Sequence, residues 1–138
     1  MKVLIDTNII LDVLCDRPKY CEDSAKIMKL CEVKRLKGYV SSLSVANIIY
    51  ILRKDLDAKK TKEVLDKLSL IFSIEDLKAD DIKKAGTADF EDYEDALQSV
   101  TAKRLRANYI ITRNTKDFHG STVKALEPAM FLKEVISA

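Results

Sequence analysis

The sequence predicts an α/β domain: a three-layer α/β/α sandwich around a central parallel sheet of four or five strands. Three observations predict it. Short apolar runs alternate along the chain with longer segments whose apolar residues recur at helical spacing. Only three Gly and two Pro occur in 138 residues, which leaves no room for long flexible linkers. Hydrophobic residues make up 47% and charged residues 33%, the balance of a soluble globular chain about one domain long. The expectation is one domain over residues 1–138, with helices on both faces of the sheet.

The elements follow in order. Lys2 to Ile5 reads as a buried strand ending in Asp6-Thr7-Asn8. Asn8 to Leu14 has helical spacing in Ile9, Ile10, Val13 and Leu14, and Arg17-Pro18 stops it. A helix is predicted from Cys21 through Leu36, with Ala25, Met28 and Cys31 on its inner face. Gly38 to Ser42 is a second strand, after which Ser44 caps a helix that turns Val45, Ile48, Ile49 and Leu52 inward. A basic helix covers about Ala58 to Leu68, a third strand Leu70 to Ile74, and a helix Ala79 to Ala88. Asp89 to Asp95 opens a helix that continues to Leu105. Tyr109 to Ile111 is a fourth strand and Val123 to Leu126 a short fifth, and Pro128 starts the last helix at its favoured first position.

Composition excludes several classes of function. No run approaches the roughly 18 apolar residues of a membrane span, and the N-terminal apolar stretch is too short for a signal core. Cys15, Cys21 and Cys31 are odd in number and lack CxxC spacing, so reduced thiols in a cytoplasmic protein are expected, not a disulfide framework or a zinc site. The net charge of +2 decides little. Basic residues gather in three stretches, Lys26–Lys37, Arg53–Lys62 and Lys103–Arg106, while acids concentrate between Asp89 and Asp95. Segregation of this kind suits an acidic metal pocket with a basic rim that tracks phosphates, and equally suits solvated helix faces.

In a parallel sheet the ligand site lies beyond the carboxyl ends of the strands. Asp6 directly follows the first strand, and Asp117 lies in the loop after the fourth. Asp92 and Asp95 stand at i and i+3 near a helix start, so their carboxylates share one face. Carboxylates brought together repel and raise one another's pKa until a cation neutralises them. Mg²⁺ prefers such hard oxygen ligands and keeps several waters. One metal, or two about 3.5–4 Å apart, activates water against a phosphodiester. Singly, each aspartate has a plainer reading as a helix cap or loop turn.

Three stretches carry a specific resemblance: Val3-Leu4-Ile5-Asp6-Thr7-Asn8-Ile9-Ile10-Leu11-Asp12, Asp92-Tyr93-Glu94-Asp95-Ala96-Leu97-Gln98, and Ile110-Ile111-Thr112-Arg113-Asn114-Thr115-Lys116-Asp117-Phe118. Together they resemble the PIN-domain family, ribonucleases that include the VapC-type toxins of toxin–antitoxin pairs, over nearly the whole chain. The resemblance implies strand order 3-2-1-4-5 and Mg²⁺- or Mn²⁺-dependent hydrolysis of RNA without a covalent intermediate. It also implies a homodimer and a small antitoxin partner. Asp6, Asp95 and Asp117 become metal ligands and catalytic acids, with Thr112 and Asn114 supporting them and Thr7 and Asn8 beside Asp6. Ser41, Ser42 and Arg113 are candidates for phosphate contact. The helices from Ser44 to Leu68 are expected to wall the substrate cleft.

One position departs from the family pattern. Its usual second acid falls at Asn47, which brings an amide oxygen but no charge. Asp92 is the expected compensating acid, giving a working cluster of Asp6, Asp92, Asp95 and Asp117 with Asn47 beside it. The alternative is a PIN-like module that binds RNA or a protein partner without cutting. His119, the one histidine, follows Asp117-Phe118 and reads as an exposed loop residue before a general base. A haloacid-dehalogenase-like phosphatase would need an acid at Asn8, and a response-regulator receiver needs paired acids after the first strand. Both rank behind the nuclease.

Overall fold

Val3, Leu4 and Ile5 of strand β1 (Lys2–Ile5) are completely buried. Successive strand residues point to opposite faces. Val3 and Ile5 therefore enter one apolar cluster with Ile9, Ile27, Val40, Ile48 and Phe131, while Leu4 enters another with Tyr39, Ala102, Ile110 and Phe118. A strand apolar on both faces needs cover on both, and helices supply it. The computed structural model describes residues 1–137.

β1 pairs in parallel with β2 (Lys37–Ser41) on one side and β4 (Tyr109–Ile111) on the other. β3 (Ser73–Glu75) extends the sheet beyond β2 and β5 (Lys124–Leu126) beyond β4. The order is β3-β2-β1-β4-β5, five parallel strands, as the resemblance implied. The larger cluster is covered by α1 (Thr7–Leu14), α2 (Cys21–Glu32), α3 (Ser42–Ile51), α4 (Ala58–Ile71) and α7 (Pro128–Phe131). On the opposite face lies α6 (Tyr93–Arg104), and α5 (Ala79–Thr87) packs on it through Ala85, Ala96 and Leu97. No helix among the described residues is long and apolar enough to cross a membrane.

Several boundaries differ from expectation for local reasons. α2 stops at Glu32, not Leu36, because Lys34 turns left-handed at φ 63° and the chain closes with Arg35 N–H on Leu30 O. Its inner face is Ser24, Ile27, Met28 and Cys31, and Ala25 is exposed. Ser41, not Ser44, caps α3 by accepting from the backbone N–H of Leu43 and Ser44. α4 continues to Ile71, since Leu68 and Ile71 lie one turn apart and both pack inward. The third strand consequently begins at Ser73, and Leu70 is 74% exposed on the helix. α6 begins at Tyr93 with Asp92 as its cap, so Asp89 to Glu91 precede the helix.

Candidate active site

In this strand order the chain leaves β1 toward β2 on one side and reaches β4 on the other, so a crevice opens beyond the carboxyl ends of β1 and β4. Ile5 and Ile111 are register partners, which sets the next residues, Asp6 and Thr112, side by side. The Asp6 backbone N–H donates to Ile111 O at 3.0 Å. Extended at φ −73° and ψ 152°, Asp6 caps α1 by accepting from Thr7 N–H on Oδ1 at 2.8 Å. Its Oδ2 accepts from Thr112 Oγ1 at 2.8 Å and Asn8 Nδ2 at 3.3 Å, and Gln98 Nε2 reaches Oδ1 at 3.3 Å. Two short bonds and two at 3.3 Å thus fix the direction of this carboxylate. Burial nevertheless raises the Asp6 pKa, against the lowering effect of the Thr112, Thr7 and Gln98 hydrogen bonds and the Arg113 charge.

Acids from two further segments meet this crevice. Asp92 accepts from Glu94 N–H at 2.7 Å, and the turn it starts brings Glu94 and Asp95 half-buried into the site. Burial, and then the carboxylates of Asp92, Asp6, Asp117 and Glu94, push Asp95 up to about 7. Glu94 is raised too, by burial first and then by Asp6 and Asp92, against a hydrogen bond from Asn47 Nδ2 to its Oε1 at 3.2 Å. Asp117 sits on a 3₁₀ turn, Thr115–Phe118, anchored by buried Phe118 packed edge-on to Phe90. A cleft of about 700 Å³ is lined by Asp89, Asp92, Asp95, Lys116, Asp117 and His119.

A family model described as PIN domain matches residues 2–116. This chain belongs to the PIN-domain family. Ribonuclease VapC1 of Aquifex aeolicus (strain VF5) is 27% identical to it over 135 residues, which cover 94% of this chain and 92% of that relative. Among solved structures, the VapBC2 complex from Rickettsia felis bound to a promoter DNA fragment superimposes with a TM-score of 0.66 at 22% identity. It covers 92% of this PIN domain and 98% of its own chain. A toxin–antitoxin complex from Klebsiella pneumoniae gives 0.68 at 21%, covering 91% and 97%. At these identities the structural likeness concerns the fold.

The PIN domain brings Asp6, Asp92, Asp95 and Asp117 within electrostatic reach around Asp95. Thr112 and Asn8 contact Asp6 directly, and Asn114 N–H donates to Thr112 Oγ1 at 3.1 Å. Thr7 caps nothing itself but donates Oγ1 to Ser44 Oγ, which also accepts from Gln98. Two expected phosphate contacts have other partners. Ser41 is buried, its hydroxyl used as the α3 cap. Arg113 donates Nε to Asp12 Oδ2 at 2.8 Å and lies 4.1 Å over the Tyr20 ring, while Arg17 holds the other oxygen of this fully buried aspartate. The acid beside Asn47 is Glu94, whereas Asp92 is occupied as a cap.

Sequence reasoning missed Glu94, Gln98, Ser44 and Asp12. Gln98 had a usable signal: it stands three residues after Asp95 and four after Glu94, on the same helical face. Ser44 had none beyond its place in a hydroxyl-rich segment.

A divalent cation fits this chemistry. Five carboxylates crowd one crevice, and burial, with the charges of the other four behind it, pushes Asp95 up to about 7. Gln98, which donates Nε2 to Asp6, also leaves its Oε1 buried without a hydrogen-bond partner in the described residues. Among the described residues no three His, Cys, Asp or Glu side chains are placed to hold an ion together. Mg²⁺ characteristically takes only one or two carboxylates directly and reaches others through its waters, so an open arrangement suits it.

Proposed function

We propose that this PIN domain is a Mg²⁺- or Mn²⁺-dependent endoribonuclease that hydrolyses RNA phosphodiester bonds, and that it is the toxin of a toxin–antitoxin pair. The observation that carries the reading is the gathering of Asp6, Asp92, Glu94 and Asp117 around half-buried Asp95, whose carboxyl is pushed up to about 7 by burial first and by those charges next. Anions are assembled there at an electrostatic cost that a bound cation offsets. The relative named Ribonuclease VapC1 and the two toxin–antitoxin complexes support the substrate and the antitoxin partner.

The chain's own residues divide the work. Asp6 is locked by Thr112, Asn8, Thr7 and Gln98, so its direction is set before any ligand arrives. Asp95 must shed its proton before it can ligate. Asp117, exposed on its turn, orients water or a second ion, and Lys116 borders the cleft where a phosphate would lie. A bound Mg²⁺ or Mn²⁺ supplies neutralising charge and an acidified water for attack. Exposed Arg53, Lys54, Lys59, Lys60 and Lys62 offer a rim that tracks the RNA backbone along the α3–α4 wall. The assembly expected is a cytoplasmic homodimer that binds a small antitoxin.

A second reading has one observation in its favour: Asn47 replaces an acid, which suits a module that binds RNA or a protein partner without cutting. The deciding experiment is cleavage of labelled mixed-sequence single-stranded RNA in Mn²⁺, Mg²⁺ or EDTA, beside an Asp6→Asn/Asp95→Asn double variant. Metal-dependent cleavage lost by about 10²-fold or more in the variant is expected. No cleavage and no calorimetric metal binding would transfer the assignment to the non-cutting module.

A further inference from the structure

We infer that Glu94 supplies the carboxylate that position 47 lacks, and that Asn47 positions it. The inference rests on the metal-dependent nuclease reading and deepens it. α3 and α6 face each other across the crevice, with Asn47 on one and Glu94 on the other, and Asn47 Nδ2 donates to Glu94 Oε1 at 3.2 Å. An aspartate or glutamate at position 47 would set two like charges at that distance, whereas an amide donor steadies the anion opposite. The charge has moved from one wall of the crevice to the other, and the hydrogen bond has kept the contact.

Three details favour a ligand role over an ordinary surface acid. Glu94 is half-buried, where an uncompensated carboxylate costs free energy. Its hydrogen-bond partner is a neutral amide, and no salt bridge is formed to it among the described residues. One turn further along α6, Gln98 contacts Asp6 through Nε2 and leaves Oε1 buried and unpartnered. The α6 face that carries Glu94 thus also reaches Asp6, which ties the Asn47–Glu94 contact to the crevice. Asp92, by contrast, is exposed and caps α6 through the Glu94 backbone N–H.

The test is Mn²⁺ calorimetry at pH 7.5 on the full chain, with thermal melts of each metal-free protein. Glu94→Gln is expected to weaken Mn²⁺ binding by at least about tenfold, while its metal-free melting temperature stays level or rises because a repelling charge has gone. Asn47→Asp/Glu94→Gln exchanges acceptor and donor across the same gap, and affinity within about threefold of wild type is expected. Wild-type affinity in a folded Glu94→Gln protein overturns the inference, as does a lowered melting temperature with unchanged affinity, which marks a purely structural residue. Loss in Glu94→Gln without recovery in the exchanged pair overturns the role given to Asn47. An Asp6→Asn arm separates the two layers. If Asp6→Asn loses Mn²⁺ and Glu94→Gln does not, only this inference fails. If neither affects binding, the metal reading fails with it.

Discussion

Thr112 carries one hydroxyl, and it does two things at the centre of the site: it donates to Asp6 Oδ2 and accepts from Asn114 N–H. Valine has the same shape without either bond. Thr112→Val should therefore weaken Mn²⁺ affinity about 10–100-fold, as removal of an orienting partner usually does. Calorimetry checks it, and unchanged affinity would show that Asp6 needs no such support. Asp95 makes a pH prediction with a definite sign. Its folded value of about 7 lies above the ordinary 3.8, so between those pH values the folded, metal-free protein holds a proton that the unfolded chain has released. The stability tied to that proton is fully present below about pH 4 and is lost as pH rises through 7. Melts in EDTA across this window should fall with pH in the wild type and flatten in Asp95→Asn. Mn²⁺ affinity should rise over the same range, because ligation requires the carboxylate. Parallel melting curves for the two proteins would refute the assignment.

Helix ends show how local chemistry shaped the elements. α1, α2 and α6 each close through a left-handed residue that is not glycine: Asp16, Lys34 and Arg106, at φ 49°, 63° and 58°. Each closure carries the same pair of backbone bonds; after α6 these are Arg106 N–H to Lys103 O and Ala107 N–H to Ala102 O. A left-handed L-residue costs roughly 1–2 kcal/mol, and glycine returns about 0.5–1 of that as lost backbone entropy. Arg106→Gly should accordingly stabilise the fold by about 0.5–1 kcal/mol, read from urea midpoints at constant slope. Gly38 works in the opposite sense. A Cβ there would meet Cys31 Sγ at 2.6 Å and the Phe72 ring at 3.0 Å, so β2 can lie against α2 only because this residue has no side chain. Among these features, the helix bodies were legible from apolar spacing, and the left-handed stops were not. A stop coded by Lys or Arg carries no signal that distinguishes it from the solvated positions around it.

At the scale of the whole molecule, the sheet order brings together residues more than a hundred positions apart in sequence. Asp6 and Thr112 meet because β1 and β4 are neighbours, and Gln98 joins them from the helix that covers the second face. A ligand that bridges segments this distant binds the folded chain and not the unfolded one. Mn²⁺ at about a hundred times its dissociation constant should therefore stabilise the protein by about 2.7 kcal/mol, a rise of roughly 5–10 °C in Tm. The Asp6→Asn/Asp95→Asn variant should show no such rise, and a rise in both would place the ion elsewhere.

The sequence by itself determined the alternation of strands and helices, the parallel sheet, and the positions of Asp6, Asp95, Asp117 and Thr112 at strand and helix ends. These are legible because burial on both faces demands continuous apolar runs, and because a polar residue directly after such a run falls at the sheet's open end. It also exposed the missing acid at Asn47. Only the tertiary structure decided which acid stands opposite it, that Arg113 is tied to buried Asp12, and that Ser41 caps α3 from inside the protein. Glu94 and Asp92 look alike along the chain, two acids two residues apart. The helix starts between them, so one oxygen of Asp92 is drawn to the backbone and Glu94 turns toward Asn47. That difference arises from the facing of α3 and α6, a contact between residues 47 positions apart, which no local pattern encodes.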